Sequence, residues 1–295
     1  LVEMIETFVE IPFVKLSMQT HATLSATRGI LRFYETTGEE KYLKYAEDIF
    51  GIYLKEGITE NYANYNWFNR PQWTEPCAIV DSYMVAMGLF YNTHQAQYLE
   101  IAQRIYYNGM GFAQRHNGGF GCDICSGAEH EFLMPHKDLY EAYWCCTMRG
   151  ADGVSAALGD IASIEENKLY LQNYTDCMFS AAGIAVEVNT LYPIGTEVSV
   201  TVDREADSQI DRICFYVPEN ADRQVAVDLN GKKLRLEAEK GFISCPIEEG
   251  HSKINCSFEY ILSREDTKNI HTIEGFHTLW HGVLQLGVGT DTTIT

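Results

Sequence analysis

In the stretch HATLSATRGILRFYETTG, apolar positions Leu24, Ile30, Leu31 and Phe33 recur at helical spacing, and Gly38 stands where such a helix ends. EEKYLKYAEDIFGIYLKEG repeats the design, with Leu43, Ala46, Ile49, Phe50 and Tyr53 on one face and Gly57 behind. TEPCAIVDSYMVAMGLFYN predicts a third helix, with Thr74 as N-cap and Glu75 and Pro76 in the first turn. QAQYLEIAQRIYYNGMGFAQR predicts a fourth, and DLYEAYWCCTMRGADGVSAALG a fifth with a break near Gly150. The segment before Pro12 supplies a sixth. Consecutive helices joined by glycine-bearing loops are αα-hairpins.

After NKLYLQNYTD the period falls to two. GIAVEVNTLYP, EVSVTVD, DRICFYVPE, QVAVDLNGKKLRLEAEKGFISCPIEEG, SKINCSFEYIL and HGVLQLGVG alternate apolar and polar positions between turns of Gly, Pro and Asn. Asn230-Gly231 is a strong hairpin signal. The expected architecture is α+β and multidomain: helical hairpins over residues 1–163, then an antiparallel β-sandwich over 164–295.

Charge narrows the partners. Lys plus Arg number 22 against 41 Asp plus Glu, a formal charge of −19. Such a surface repels phosphate backbones and anionic lipid, which argues against nucleic acid and membrane partners. No apolar run reaches the roughly 18–20 residues of a membrane span, and the acidic opening LVEMIETFVE is unlike a signal peptide. Nine cysteines are an odd number in a chain that needs no disulfide staples, which points to a reducing compartment, the cytoplasm.

The chemistry gathers around thiols. Glu75-Pro-Cys77 opens one helix, and Cys145 and Cys146 are adjacent in another. Three sulfurs and a carboxylate suit zinc, yet cysteines on helix faces are more often inert core residues. Cys122-Asp-Ile-Cys125 is a C-x-x-C that, paired with Cys145 and Cys146, would make a four-cysteine site; the alternative is a chance pair in a loop. ITENYANYNWFNRPQWTEPC is dense in Tyr, Trp and Asn, including Tyr62 and Trp67, side chains that suit sugar rings but also plug barrel mouths. Glu60 lies in this loop, where aromatic surroundings can bring a carboxyl into general-acid range, though most loop glutamates are merely solvated. His21, His130 and His136 are lone histidines, a class more often structural than functional.

At these residues the chain resembles the β-L-arabinofuranosidases of glycoside hydrolase family 127. The resemblance runs through THATLSATRGILRFYETTGEEKYL, TEPCAIV, YLEIAQRIYYNGMGFAQRHNGGFG, the adjacent cysteines, LYPIGTEVSVTV and HGVLQLG, and covers nearly the whole chain in order. It implies an (α/α)6 barrel followed by β-sandwich material, and a retaining hydrolase acting on plant-type glycans, such as an L-arabinofuranoside. It implies that Glu75, Cys77, Cys145 and Cys146 hold zinc, that Cys145 is the nucleophile, and that Glu60 is the general acid/base. His21 matches a sugar-contacting histidine, and Tyr62 and Trp67 join it as expected substrate contacts. The chain departs from the family where Thr147-Met148-Arg149 follows the cysteine pair in place of Pro-Pro-Asn. Five or six helices also make only part of a twelve-helix barrel. The expectation is therefore a fragment, its open side covered by a missing N-terminal segment or by a second copy. The rival reading is a non-catalytic carbohydrate-binding or assembly protein with a structural zinc site. A third, an unsaturated-uronide hydrolase, would use acidic residues without thiols.

Overall fold

The computed structural model describes residues 1–125, 145–266 and 277–287. The chain divides into two compact units, one of residues 1–156 with 264–278, the other of 157–263 with 279–295.

The first unit is helical. Helices α1 (Val2–Val9), α2 (Thr20–Thr37), α3 (Glu40–Glu56), α4 (Pro76–Thr93) and α5 (Ala96–Arg104) follow in order. A π-helical turn (Ile105–Met110) and a short α6 (Gly111–Ala113) extend α5, and α7 spans Cys145–Gly159. Gly38 closes α2 in the left-handed conformation, φ 69°, which glycine adopts without a Cβ penalty. α2 packs on α3 and α4, and α4 packs on α5. α4 is the central helix: Cys77, Ala78, Ile79, Val80, Asp81 and Ser82 are all buried, so any polar group it carries must find its partners inside the protein.

Three local expectations change. The N-cap of α4 is Glu75 rather than Thr74, because the Thr74 hydroxyl accepts the Asp123 N–H at 3.0 Å instead. α7 is unbroken at Gly150, where the missing Cβ makes room for the Phe120 ring; an added Cβ would lie 2.0 Å from it. The predicted fourth helix is interrupted by the π-turn, in which a Cβ on Gly109 would lie 2.2 Å from the Tyr62 carbonyl oxygen. The part of the fifth helix before Cys145, together with His130 and His136, lies outside the described residues.

The second unit is a β-sandwich. Its strands are β1 (Ala162–Glu165), β2 (Lys168–Leu171), β3 (Cys177–Ala181), β4 (Ile184–Thr190), β5 (Glu197–Arg204), β6 (Arg212–Tyr216), β7 (Gln224–Leu229), β8 (Lys232–Glu237), β9 (Phe242–Pro246) and β10 (Gly250–Ser257). The two larger sheets have the orders β1-β2-β6-β9 and β3-β4-β5-β10-β7-β8. Alternation places Val186, Val188, Val198, Val200, Val202 and Ile254 in the core from one sheet, and Ile213, Phe215, Ile243 and Cys245 from the other. The β7–β8 turn carries Asn230 and Gly231 at φ 53° and 85°, the two left-handed positions of a tight hairpin. One pairing is not antiparallel: β2 and β6 run parallel, Leu169 facing Ile213, because β3, β4 and β5 intervene in the other sheet.

Candidate metal and active site

The site is assembled from the ends of three helices. Glu75 caps α4 and Cys77 sits in its first turn, Cys145 and Cys146 lie together on α7, and His21 is in the first turn of α2. The ligand atoms of Cys77, Cys145 and Cys146 lie within 4.8 Å of one another, as do those of His21, Glu75 and Cys77. The two sets share Cys77. Successive helical residues point roughly 100° apart; accordingly Cys145 is exposed while Cys146 is buried.

Contacts between the thiols and loss of solvent set the protonation of these groups. The Cys77 thiol is pushed well up by its hydrogen bond with Cys146 and by loss of solvent. Cys146 is raised chiefly by its hydrogen bond with Cys122, and Cys145 by desolvation. Desolvation also raises the Glu75 carboxyl, partly offset by the His21 charge and by Gln19, whose Nε2 donates to Glu75 Oε2 at 3.2 Å. Thiols and a carboxyl held towards their neutral forms in a largely buried cluster, with Cys145 at its exposed edge, are the donor set that a divalent zinc ion converts to anions. The residues present fit such an ion.

A second layer lies one helical turn further in. Asp81, four residues after Cys77 and fully buried, accepts from His21 Nδ1 at 2.7 Å, Ser25 Oγ at 2.6 Å and Arg28 Nη1 at 2.7 Å, and from Arg149 Nη2. Burial alone would raise its carboxyl, but the His21 and Ser25 hydrogen bonds and the Arg149 charge hold it below the usual carboxylate range. In turn Asp81 raises the pKa of His21, against desolvation.

The aromatic loop is tied to this cluster through its backbone. Asn64 Oδ1 accepts the Glu75 N–H at 2.8 Å, and Asn64 Nδ2 donates to Thr20 Oγ1 at 3.0 Å. Ile58 and Asn64 pair across the loop that carries Glu60, which is half-buried. Tyr62, at φ 59°, forms the loop's corner; its hydroxyl accepts from Arg104 Nη1 at 3.2 Å, and Arg104 is buried against Glu100 and Glu265. Trp67 packs on Trp73 with ring centroids 5.6 Å apart, and Trp73 packs on the buried thiols Cys77, Cys122 and Cys146. The structure thus brings together two triads that share Cys77, one with Cys145 and Cys146 and the other with His21 and Glu75, while Tyr62 is engaged with Arg104 and Trp67 packs on Trp73.

The two cysteines of the C-x-x-C part company. Cys122 Sγ is 3.9 Å from Cys146 Sγ, whereas Cys125 Sγ donates to the Asn64 carbonyl at 3.6 Å. Sequence reasoning passed over Asp81 and Arg28 and met Arg149 only as a departure from the family, although their spacing from Cys77, His21 and Cys145 places each on the same helix face as a singled-out residue.

No family model and no curated protein matches the chain. Solved structures do. A glycoside hydrolase family 127 β-L-arabinofuranosidase from Geobacillus stearothermophilus T6 superimposes with TM-score 0.72 at 15% identity, covering 93% of this chain and 48% of that one. A glycoside hydrolase gives TM-score 0.76 at 15% identity, over 91% and 51%. A family 127 β-arabinofuranosidase gives 0.74 at 14%, over 93% and 48%. The chain spans about half the length of these structures. The similarity assigns its fold: a helical barrel-like part followed by a β-sandwich, as in the arabinofuranosidases of family 127.

Proposed function

We propose that the chain carries the thiolate site of a retaining glycoside hydrolase acting on plant-type glycans, with L-arabinofuranosides as the first substrates to test. The observation that carries this reading is the convergence of Cys77, Cys145 and Cys146 beside Glu75 in a fold shared with β-L-arabinofuranosidases. In this reading Glu75, Cys77, Cys145 and Cys146 hold zinc, which when bound keeps the sulfurs as thiolates and fixes their places. Cys145, the exposed member of the pair, is the nucleophile. Its sulfur attacks the anomeric carbon while the Glu60 carboxyl gives its proton to the departing glycosidic oxygen. Glu60, now a carboxylate, takes a proton from water, whose oxygen displaces sulfur from the same carbon. Two inversions give net retention, and the cysteine returns as thiolate. His21, held through Nδ1 by Asp81, has its other ring nitrogen for a sugar hydroxyl, and Tyr62 and Trp67 complete the sugar contacts.

The test is a panel of aryl glycosides, including L-arabinofuranosides in both anomers, with zinc content measured by mass spectrometry. Glu60→Gln should lose hydrolysis and keep its metal. Unchanged turnover in that variant removes Glu60 from the reaction. The rival reading, a non-catalytic carbohydrate-binding or assembly protein with structural zinc, is favoured by the deep burial of Cys77 and Cys146. It is upheld if metal is present and no glycoside is cleaved, both by this chain and by a version extended to the length of its structural relatives.

A further inference from the structure

Three helices stack the same two layers four residues apart: His21 and Ser25 on α2, Cys77 and Asp81 on α4, Cys145 and Arg149 on α7. Residues at this spacing are neighbours on a helix surface, roughly 5–6 Å apart at Cβ. Arg149 is therefore next to the exposed thiol of Cys145. Arg28 reaches the same Asp81 oxygen as Arg149 from α2.

The electrostatics of the second layer do not close on themselves. Arg28 and Arg149 both donate to one oxygen, Oδ1 of the single carboxylate Asp81. Two guanidinium groups are thereby held side by side, with His21 on the other oxygen. Arg149 has one further anionic partner, the exposed Asp152. Among the described residues Arg28 has Asp81 alone. Arg149 Nε is buried without a hydrogen-bond partner among the described residues. Both side chains remain partly open, 29% for Arg28 and 23% for Arg149. In a chain of net charge −19, most of whose surface repels anions, a pair of half-open arginines beside the thiols stands out.

We propose that Arg28 and Arg149 form an anion subsite adjoining Cys145 that takes the carboxylate of a uronic-acid-type sugar. This rests on the reading of the thiol cluster as a glycoside site and names the substrate class. Planar guanidinium forks match a carboxylate with paired, charge-assisted hydrogen bonds that a neutral sugar cannot supply.

The subsite is tested by binding, without turnover, on the full chain. D-glucuronate and D-glucose are titrated against the protein and followed by NMR, with inorganic sulfate as a third probe. Glucuronate should bind at least about tenfold more tightly than glucose, the effect of one charge-assisted hydrogen bond or more. That preference should fall to near one in Arg149→Gln and shrink in Arg28→Gln, with thermal melts showing that each variant folds; if Arg149→Gln does not fold, the more exposed Arg28 decides. Equal binding of the two sugars, no detectable binding of glucuronate, or a preference that survives the substitutions overturns the proposal. Sulfate binding as tightly as glucuronate overturns the uronate assignment in favour of a bare oxyanion site. A protein that prefers glucuronate yet cleaves no glycoside, as this chain and when extended to the length of its structural relatives, keeps the subsite and loses the hydrolase reading. One that cleaves neutral glycosides without this preference does the reverse.

Discussion

The side-chain oxygen of Asn64 accepts the backbone N–H of Glu75 at 2.8 Å, and this one bond couples the loop carrying Glu60 to the first member of the thiol and carboxylate cluster. The same side chain donates to Thr20 on α2, so three segments meet on one buried amide. Replacing Asn64 by Leu should strand the Glu75 N–H and cost about 1–3 kcal/mol. Urea denaturation measures the loss, and a variant as stable as the parent would show that the loop is held by other means.

Cys145 and Cys146 should separate into different roles. Cys145→Ser is expected to abolish aryl glycoside cleavage, since no group in the site deprotonates a serine as readily as zinc does a thiol. Cys146→Ser is expected to lower metal content and melting temperature, because it removes a buried sulfur that also contacts Cys122. Near-normal turnover in Cys145→Ser would sink the thiolate mechanism whatever the metal content.

Zinc uptake should release protons. Burial and mutual contact raise the thiols of Cys77, Cys145 and Cys146, so each enters binding as a neutral group and leaves it as a thiolate. Affinity therefore falls as pH falls, and calorimetry in buffers of different ionisation enthalpy counts the protons. Stripping metal with a chelator should lower the melting temperature, and restoring zinc should raise it with concentration. A pH-independent affinity would argue against thiolate ligands.

Asp81 should be a stability residue as much as a site residue. Its carboxyl is held below the usual range, so its contribution is present above the unfolded-state pKa of about 3.9 and disappears as pH falls through the lower folded value. Asp81→Asn leaves Arg28 and Arg149 without their shared anion and should cost about 3–5 kcal/mol at neutral pH. The variant's stability should also fall less steeply in acid than the parent's. A cost below about 1 kcal/mol would show that water already screens the network.

Gly109→Ala tests the fit between the π-turn and the aromatic loop. The added carbon would meet the Tyr62 carbonyl oxygen at 2.2 Å, and a backbone atom cannot rotate out of the way as a side chain can. The expected cost is about 1–3 kcal/mol, with aryl glycoside cleavage under the proposed mechanism falling alongside because Glu60 sits two residues before Tyr62. Unaltered stability in thermal and urea denaturation would mean that the loop moves freely.

Much of the fold was legible because its signals are local. Gly38 ends α2 and Asn230-Gly231 turns β7 into β8 through backbone conformations that those residues favour. The edge strand β3 was not, since one exposed flank leaves its alternation shallow. At the site, the thiols announced themselves by rarity and adjacency. Asp81 did not: in sequence it is one polar residue in an apolar helix, and its meaning comes from His21, Arg28 and Arg149, which arrive from other helices. The spacing Cys77–Asp81 and Cys145–Arg149 was a readable hint. The C-x-x-C stayed ambiguous for the opposite reason, as sequence proximity between Cys122 and Cys125 says nothing of which neighbours each meets.

The parallel pairing of β2 with β6 bears on how the second unit can be made. Leu169 finds Ile213 only after the whole β3–β4–β5 meander has been laid into the opposite sheet. Until then β1 and β2 are a lone hairpin, a structure of marginal persistence in water. The four-stranded sheet is therefore a long-range closure, of the kind that forms slowly because its contacts are distant in sequence. A chain cut anywhere between β2 and β6 would leave hydrogen-bonding edges exposed in both sheets, and such edges recruit other chains.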